Sequence, residues 1–481
     1  MKQRLFIYLI FISYMGIAQV GFEKTFKFLV NEEAAKSCIQ DSDGGFVLAI
    51  GPKSSSAIFI REYGLIKLNT YGDTVWKTTF FMNYYSTMEL VKKAPDKGFI
   101  TIGLAEDSVT GMNNAMLWIA KYDSLGYLSW SRFYSGPQFK YFTPTSLSAE
   151  FIQNTLFLCT GTNGKFLLFD SLYNFTSIHS YTGFNHNIGS IKELSLQFNN
   201  NFWYYITYQP ILFGNYTIKI LEVATNGDTV KSISVPADTL LAGRLIKVTN
   251  SYFLAIGYKN SGTSQSKFSI SKIDSTGATI WTKKMSSTNF LLSQSQFTSY
   301  TTLLNGNHVV NFGPKNPLVN KKSFIYCFND NGDSLWTNEY MKDSTLNQTY
   351  LMDIIPTADS GLVSCGVIED SAGVWKSYIV KTNAQGTILG SSFQAISHEE
   401  PYLHMYPNPT STNISIHYIG NKSNSKFCVY SVQGKLLYEK LLTDIDNRFT
   451  LNTTQFPSGF YICSIFCEGQ KVLSKKLAVI K

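Results

Sequence analysis

Histidine is scarce in this chain: six among 481 residues, with only His179, His186 and His308 ahead of residue 396. That leaves little for imidazole catalysis or zinc binding. His179 and His186 lie close enough in sequence to suggest a shared metal, but no third ligand stands at a clear spacing. Neither a Gly-x-Ser-x-Gly elbow, a His-Glu-x-x-His helix nor a phosphate-binding loop occurs. Adjacent acids such as Glu32 and Glu33 would point to opposite faces of a strand, so a two-carboxylate hydrolase would have to assemble its pair in space. No catalytic residue, metal or cofactor is therefore expected.

Cysteine is also sparse, and its count of seven is odd. Cys463 and Cys467 fall on one strand, ~13 Å apart at ~3.3 Å per residue, too far to bridge. Cys159 and Cys365 occupy equivalent repeat positions. Buried free thiols are expected, with a Cys428–Cys463 cross-strand bridge as the main exception. The net charge of +8 does not form a basic stripe, so no nucleic-acid partner is expected. Amphipathic helical periodicity is missing. Beyond the N-terminus no apolar run approaches the roughly 20 residues that span a bilayer, so no transmembrane segment is expected.

What is present begins at the N-terminus. Lys2 and Arg4 precede an apolar run from Leu5 to Ile17, and Gly16-Ile17-Ala18 offers small residues for cleavage. Residues 1–18 read as a signal peptide, with signal peptidase and the general export machinery as partners. No Cys follows the cut, which disfavours a lipid anchor.

Residues 19–395 repeat. Gly45-Phe46-Val47-Leu48-Ala49-Ile50-Gly51 returns as Gly98-Phe99-Ile100-Thr101-Ile102-Gly103 and, more loosely, five further times. A second signature, Asn69-Thr70-Tyr71-Gly72 followed by Trp76, returns around Gly126/Trp130, Gly227, Gly277/Trp281, Gly332/Trp336 and Gly386. A degenerate copy lies near Asp170–Ser177. A period of about 50 residues indicates a propeller or similar array. Each unit parses into four short strands, so the expectation is all-β: a seven-bladed β-propeller. Phe22-Glu23-Lys24-Thr25-Phe26 copies the fourth-strand pattern Trp76-Lys77-Thr78-Thr79-Phe80 ahead of the first unit. It should add a strand to the last unit and latch the ring.

Asp123-Ser124-Leu125-Gly126 to Trp130 and Asp274-Ser275-Thr276-Gly277 to Trp281 resemble the tryptophan docking repeat of quinoprotein-type propellers. The turn is one residue shorter than in that family, and the adjacent Cys-Cys pair common in its dehydrogenases is missing. The resemblance therefore implies fold and not that enzyme. The same stretches resemble the sialidase Asp-box, but their spacing departs from it. Asn329-x-Asn331-x-Asp333 lacks the Gly and Glu of a calcium loop, having Ser334 and Tyr340 there. Longer loops, between second and third strands and between units, open on one face. They carry Tyr84, Tyr85, Phe139, Tyr141, Phe142 and Phe213, rings suited to a glycan or extended peptide. Alternatively these rings only cover blade edges.

After a linker at 396–402, residues 403–481 alternate apolar and polar with short turns, a pattern for a small Ig-like β-sandwich. The motifs are Tyr406-Pro407-Asn408-Pro409, Gly434, Leu451, Pro457, Gly459, Tyr461 and the basic last strand with Lys475 and Lys476. This order resembles the type A C-terminal sorting domain of the type IX secretion system of Bacteroidetes-like bacteria. The resemblance implies passage through the outer-membrane translocon of that system. The mature protein would then be extracellular or on the outer cell surface. The functional expectation is a non-catalytic glycan-, peptide- or envelope-binding propeller, with a propeller-fold glycan hydrolase or lyase as the alternative.

Overall fold

The computed structural model describes residues 21–29, 32–52, 61–82, 85–106, 116–136, 139, 147–160, 165–180, 202–211, 215–235, 242–247, 252–259, 267–284, 297–312, 322–340, 348–389, 402–406, 408–420, 425–443, 446–467 and 469–481. Among them every named element is a β-strand, and no helix is long and apolar enough to cross a membrane. The chain divides into two compact units, Met1–Ser391 and Ser392–Lys481.

The first unit holds seven antiparallel sheets among the described residues, six of them built from consecutive strands alone. The first comprises Glu33–Gln40, Phe46–Pro52, Arg61–Leu68 and Thr74–Met82. The second comprises Tyr85–Lys93, Phe99–Glu106, Met116–Tyr122 and Leu128–Tyr134. The third, fifth and sixth repeat this four-strand meander, while the fourth has three described strands, Phe202–Ile211, Asn215–Ala224 and Thr229–Val235. The seventh takes three strands from Gln348–Pro356, Leu362–Glu369 and Trp375–Thr382. Its fourth strand is Phe22–Phe26, which pairs antiparallel with Trp375–Thr382. The N-terminal latch expected from the sequence is thus a sheet strand.

The second strand of the first sheet is apolar along its length because both of its faces are covered. Phe46, Leu48 and Ile50 pack with Val363, Cys365 and Ile379 of the seventh sheet, whereas Val47 and Ala49 pack with Phe99 and Trp118 of the second. Successive residues of one strand therefore serve two cores.

The repeated turns have two chemistries. Between third and fourth strands, Asn or Asp folds back on its own backbone: Asp123 Oδ1 accepts from the amides of Leu125 and Tyr127, both at 2.9 Å. Gly126 then takes φ +82°, open to glycine at no steric cost. In the degenerate third copy Tyr173 holds this conformation at φ 61°. Between first and second strands, a buried lysine of the third strand grips the turn aspartate: Lys67 to Asp43 at 2.7 Å, Lys121 to Asp96 at 2.8 Å and Lys381 to Asp359 at 2.5 Å. Asp41 accepts from both Lys67 and Lys93. Burial pushes the Asp41 carboxyl up, but the two ammonium groups outweigh it and hold it at about 2.

The turn glycines also explain the tryptophans. A Cβ on Gly126 would lie 2.5 Å from the Trp76 ring, so a fourth-strand side chain seats on the bare turn of the next sheet. The same docking joins Trp281 to Gly332, Trp336 to Gly386, Ile233 to Gly277 and His179 to Gly227. Trp130 instead meets Tyr173, ring centroids 5.0 Å apart. Phe22 of the latch strand seats on Gly72 of the first sheet, taking the tryptophan's part.

Among the described residues the second unit has two sheets: one of Tyr402–Tyr406, Asn413–Ile419 and Asp446–Asn452, the other ordered Leu436–Leu442, Ser425–Ser431, Gly459–Cys467 and Gln470–Val479. One core, including Ile414, Ile416, Phe427, Val429, Cys463 and Leu477, lies between them.

Candidate functional site

In the second unit the sequence motif serves mainly to fix the last strand. The Asn408 side chain donates to the Lys476 carbonyl at 2.8 Å and accepts from the Ala478 amide at 2.8 Å. Thr410 and Ile480 continue this pairing: Thr410 donates its amide to Ala478 O, and Ile480 donates to Thr410 O. The Asn408–Pro409 peptide is cis. Tyr461 donates its hydroxyl to Pro457 O at 2.6 Å; Gly434 lies at a turn and Gly459 opens its strand, both with positive φ. Tyr406 pairs with Ser415 in the smaller sheet, and Pro407 lies outside the described residues.

That scaffold presents an outward face. Val432, Phe460, Tyr461, Ile462, Ser474, Lys475 and Lys476 line a shallow groove of about 290 Å³. Phe460 is 54% exposed, Ile462 41% and Val432 61%, while Tyr461 points inward. Cross-strand register places Ile462 opposite both Tyr430 and Lys476, and Tyr430 opposite the exposed Leu436. Lys476 Nζ stands 3.5 Å from the Phe460 ring centroid, a cation–π contact. The result is an open apolar row with a cationic margin, suited to an apolar partner surface bearing acids. Of its residues the sequence reading named Tyr461, Lys475 and Lys476. It missed Phe460 and Ile462, although their alternation with buried Tyr461 and Cys463 marks them as outward-facing.

In the first unit the anticipated aromatic face is only partly within view. Tyr84, Tyr141, Phe142 and Phe213 lie outside the described residues, and Tyr85 is described only as the first residue of its strand. Phe139 departs from the expectation of an exposed ring. It is 2% exposed and stands edge-on to Phe175 at 5.1 Å, so it belongs to the core between the second and third sheets.

First strands of neighbouring sheets lie beside one another. Four of them carry a bulge at an equivalent place, with Lys36, Glu89, Thr298 and Met352 as the extra residues. Burial raises the Glu89 pKa, and nearby Lys36 works against that shift. The extra residues are thus one glutamate, one lysine, one threonine and one methionine. Elsewhere Tyr300, His308 and Asp330 form a chain, with Tyr300 OH at 2.8 Å from Nδ1 and Asp330 at 3.4 Å from Nε2. Burial lowers the His308 pKa, so the ring is neutral at pH 7. This chain takes the place of the lysine staple in the sixth sheet, where Cys327 occupies the lysine position and Lys272 of the fifth sheet reaches Asp330. His186, the other half of the considered metal pair, lies outside the described residues. Cys428 and Cys463 are both free, and their one-step register offset turns them to opposite faces, which rules out the bridge kept open by the sequence.

Residues 404–481 match the family described as the secretion system C-terminal sorting domain. No curated protein matches the chain. Among solved structures, PorZ of Porphyromonas gingivalis, described as an essential bacterial surface component of the type-IX secretion system, shares 11% identity over 93% of this chain and 81% of its own, with a TM-score of 0.28. A protein of unknown function from Dyadobacter fermentans shares 10% over 76% of this chain and 99% of its own, TM-score 0.43. An α-L-arabinanase from Penicillium chrysogenum shares 9% over 76% and 99%, TM-score 0.39. The sorting domain implies export to the cell surface or extracellular space by the type IX machinery.

Proposed function

We propose that the chain is a surface-displayed or released binding protein: a seven-bladed β-propeller carried across the outer membrane by an Ig-like sorting sandwich. A signal peptide at 1–18 would bring it to signal peptidase and the general export machinery. The sorting sandwich would follow a linker at 396–402 and be read by the outer-membrane translocon. The observation that carries the export half is the apolar row of Phe460 and Ile462 beside Lys476 on an otherwise well-packed domain. Phe460→Asp with Ile462→Asp is expected to leave the domain folded, since both side chains face outward. Secretion should fall by roughly tenfold or more, the full-length chain accumulating in the periplasm. Leu441→Asp, at an exposed site on the opposite edge strand, controls for added charge. Normal secretion of the double variant would remove this face from the sorting mechanism.

For the propeller, the mix at the four bulges favours binding without catalysis, because a glycosidase needs two carboxylates within about 5–10 Å. Loop aromatics such as Tyr84, Tyr85, Tyr141, Phe142 and Phe213 would supply the glycan, peptide or envelope contact. The upward shift that burial gives the Glu89 pKa is the one observation favouring the alternative, a glycan hydrolase or lyase with a general acid. Incubation with polysaccharides and peptidoglycan, with retained and released material both read by mass spectrometry, separates the two. Retention without new fragments is the expected result. Fragments lost on Glu89→Gln would instead establish the enzyme.

A further inference from the structure

Two thiols meet at the joint between the first and seventh sheets. Cys38 on Glu33–Gln40 is 1% exposed and Cys365 on Leu362–Glu369 is 0% exposed. Their sulfurs fall within 4.8 Å of one another and of an Asp353 oxygen. Asp353 is already committed to the scaffold. Its Oδ2 accepts from the Cys38 amide at 3.0 Å, and its Oδ1 from Ser299 Oγ and the Ile354 amide, both at 2.9 Å. The carboxylate therefore holds the backbone of Cys38 against the strand facing Cys365, and the two sulfurs are left to each other. Ladder pairing fixes both backbones, Cys38 opposite Leu48 and Cys365 opposite Asp353.

We propose that Cys38 and Cys365 form a disulfide that ties the first sheet to the last after the chain leaves the cytoplasm. The inference rests on the export reading for its oxidising surroundings. A thiolate of one cysteine attacks an external disulfide, either a protein disulfide or glutathione disulfide, and expels one thiolate. The second cysteine then displaces the other from the mixed disulfide. Two S–H bonds are lost, one S–S bond forms and the external disulfide is reduced to two thiols. In the closed fold the Cys365 contact and burial raise the Cys38 pKa well above that of an ordinary thiol, and burial raises that of Cys365. Thiolate is then scarce in the finished fold, so the exchange runs while the first sheet is closing onto the last, and the bond is shielded from reductant afterwards.

The test refolds the full chain from denaturant in a glutathione redox buffer and digests it without reduction. A cross-linked Cys38–Cys365 peptide pair about 2 Da lighter than the two free peptides is expected. Reductant should lower the melting temperature, by about 5 °C, only when added during denaturation. Quantitative alkylation of both thiols after oxidative refolding would overturn the proposal, as would one retained zinc or cuprous ion with both thiols intact. Cross-linking in the refolded chain, with the native protein found reduced in the cytoplasm, would overturn the export reading alone.

Discussion

Deleting residues 21–28 is expected to abolish cooperative unfolding of the N-terminal unit and to drive it towards aggregation. Phe22–Phe26 supplies the fourth strand of the seventh sheet, so its loss bares the Trp375–Thr382 edge along five residue pairs. It also strips Phe22 from Gly72 and from Phe46, whose ring lies edge-on at 6.0 Å. Phe22 and Phe28 are 5% and 6% exposed. At about 1.5–3 kcal/mol for each large apolar side chain, the direct loss is roughly 3–6 kcal/mol before the open edge is counted. That is a large share of the 5–15 kcal/mol that holds a typical domain together. Differential scanning calorimetry of the deletion should show a broad, low-enthalpy transition, and a wild-type transition would mean that this strand is dispensable. Phe22→Ala, which keeps the strand and removes only its plug over Gly72, should retain one sharp transition at a lower temperature.

The latch was legible because a strand that finishes another sheet must obey that sheet's pattern. Phe22 had to fit the turn that Trp76, Trp281 and Trp336 fit elsewhere, and the sequence writes that need as an aromatic at the matching place. The turn glycines were legible for a similar reason: φ near +80° and a ring 2.5 Å from the absent Cβ leave few substitutes. Where a substitute does occur, as at Tyr173, the partner ring is turned edge-on, and the sequence pattern fades with it. The loop aromatics were a different matter. Composition marks a ring as large and apolar but carries no statement of which neighbours reach it, and Phe139 found Phe175 and Tyr134. The thiol pair was hidden by separation. Cys38 and its anchor Asp353 are 315 residues apart, and only closure of the first sheet onto the last brings them together. In the sorting domain the motif residues came from a family resemblance, whereas the exposed Phe460 and Ile462 could be read from strand alternation alone.

Glu33 carries the second large effect, with a sign opposite to that of most carboxylates. It opens the first strand of the first sheet and is fully buried. Its Oε2 accepts the amides of Phe28 and Leu29, at 2.8 and 2.5 Å, and its Oε1 faces the Ser377 amide at 3.4 Å. The side chain thus pins the turn behind the latch to the last sheet. Burial is the largest influence and raises its pKa to about 7, against the lowering pull of Lys27 and these amides. A folded pKa above the unfolded one means that the folded chain holds the proton more tightly. The associated stability is complete below about 4.5 and is lost as pH rises through about 7, a change on the order of 3 kcal/mol. Glu33→Gln keeps an acceptor for Phe28 and Leu29 but cannot ionise. It should flatten the dependence between pH 5 and 8 and match or exceed the wild type at pH 8. Glu33→Ala strands at least two buried amides and should cost about 2–5 kcal/mol at every pH. Chemical denaturation of the three proteins at pH 5 and 8 decides the matter. If the wild type gains stability towards pH 8 relative to Glu33→Gln, the carboxylate is ionised in the fold and the three amides, not burial, set its charge.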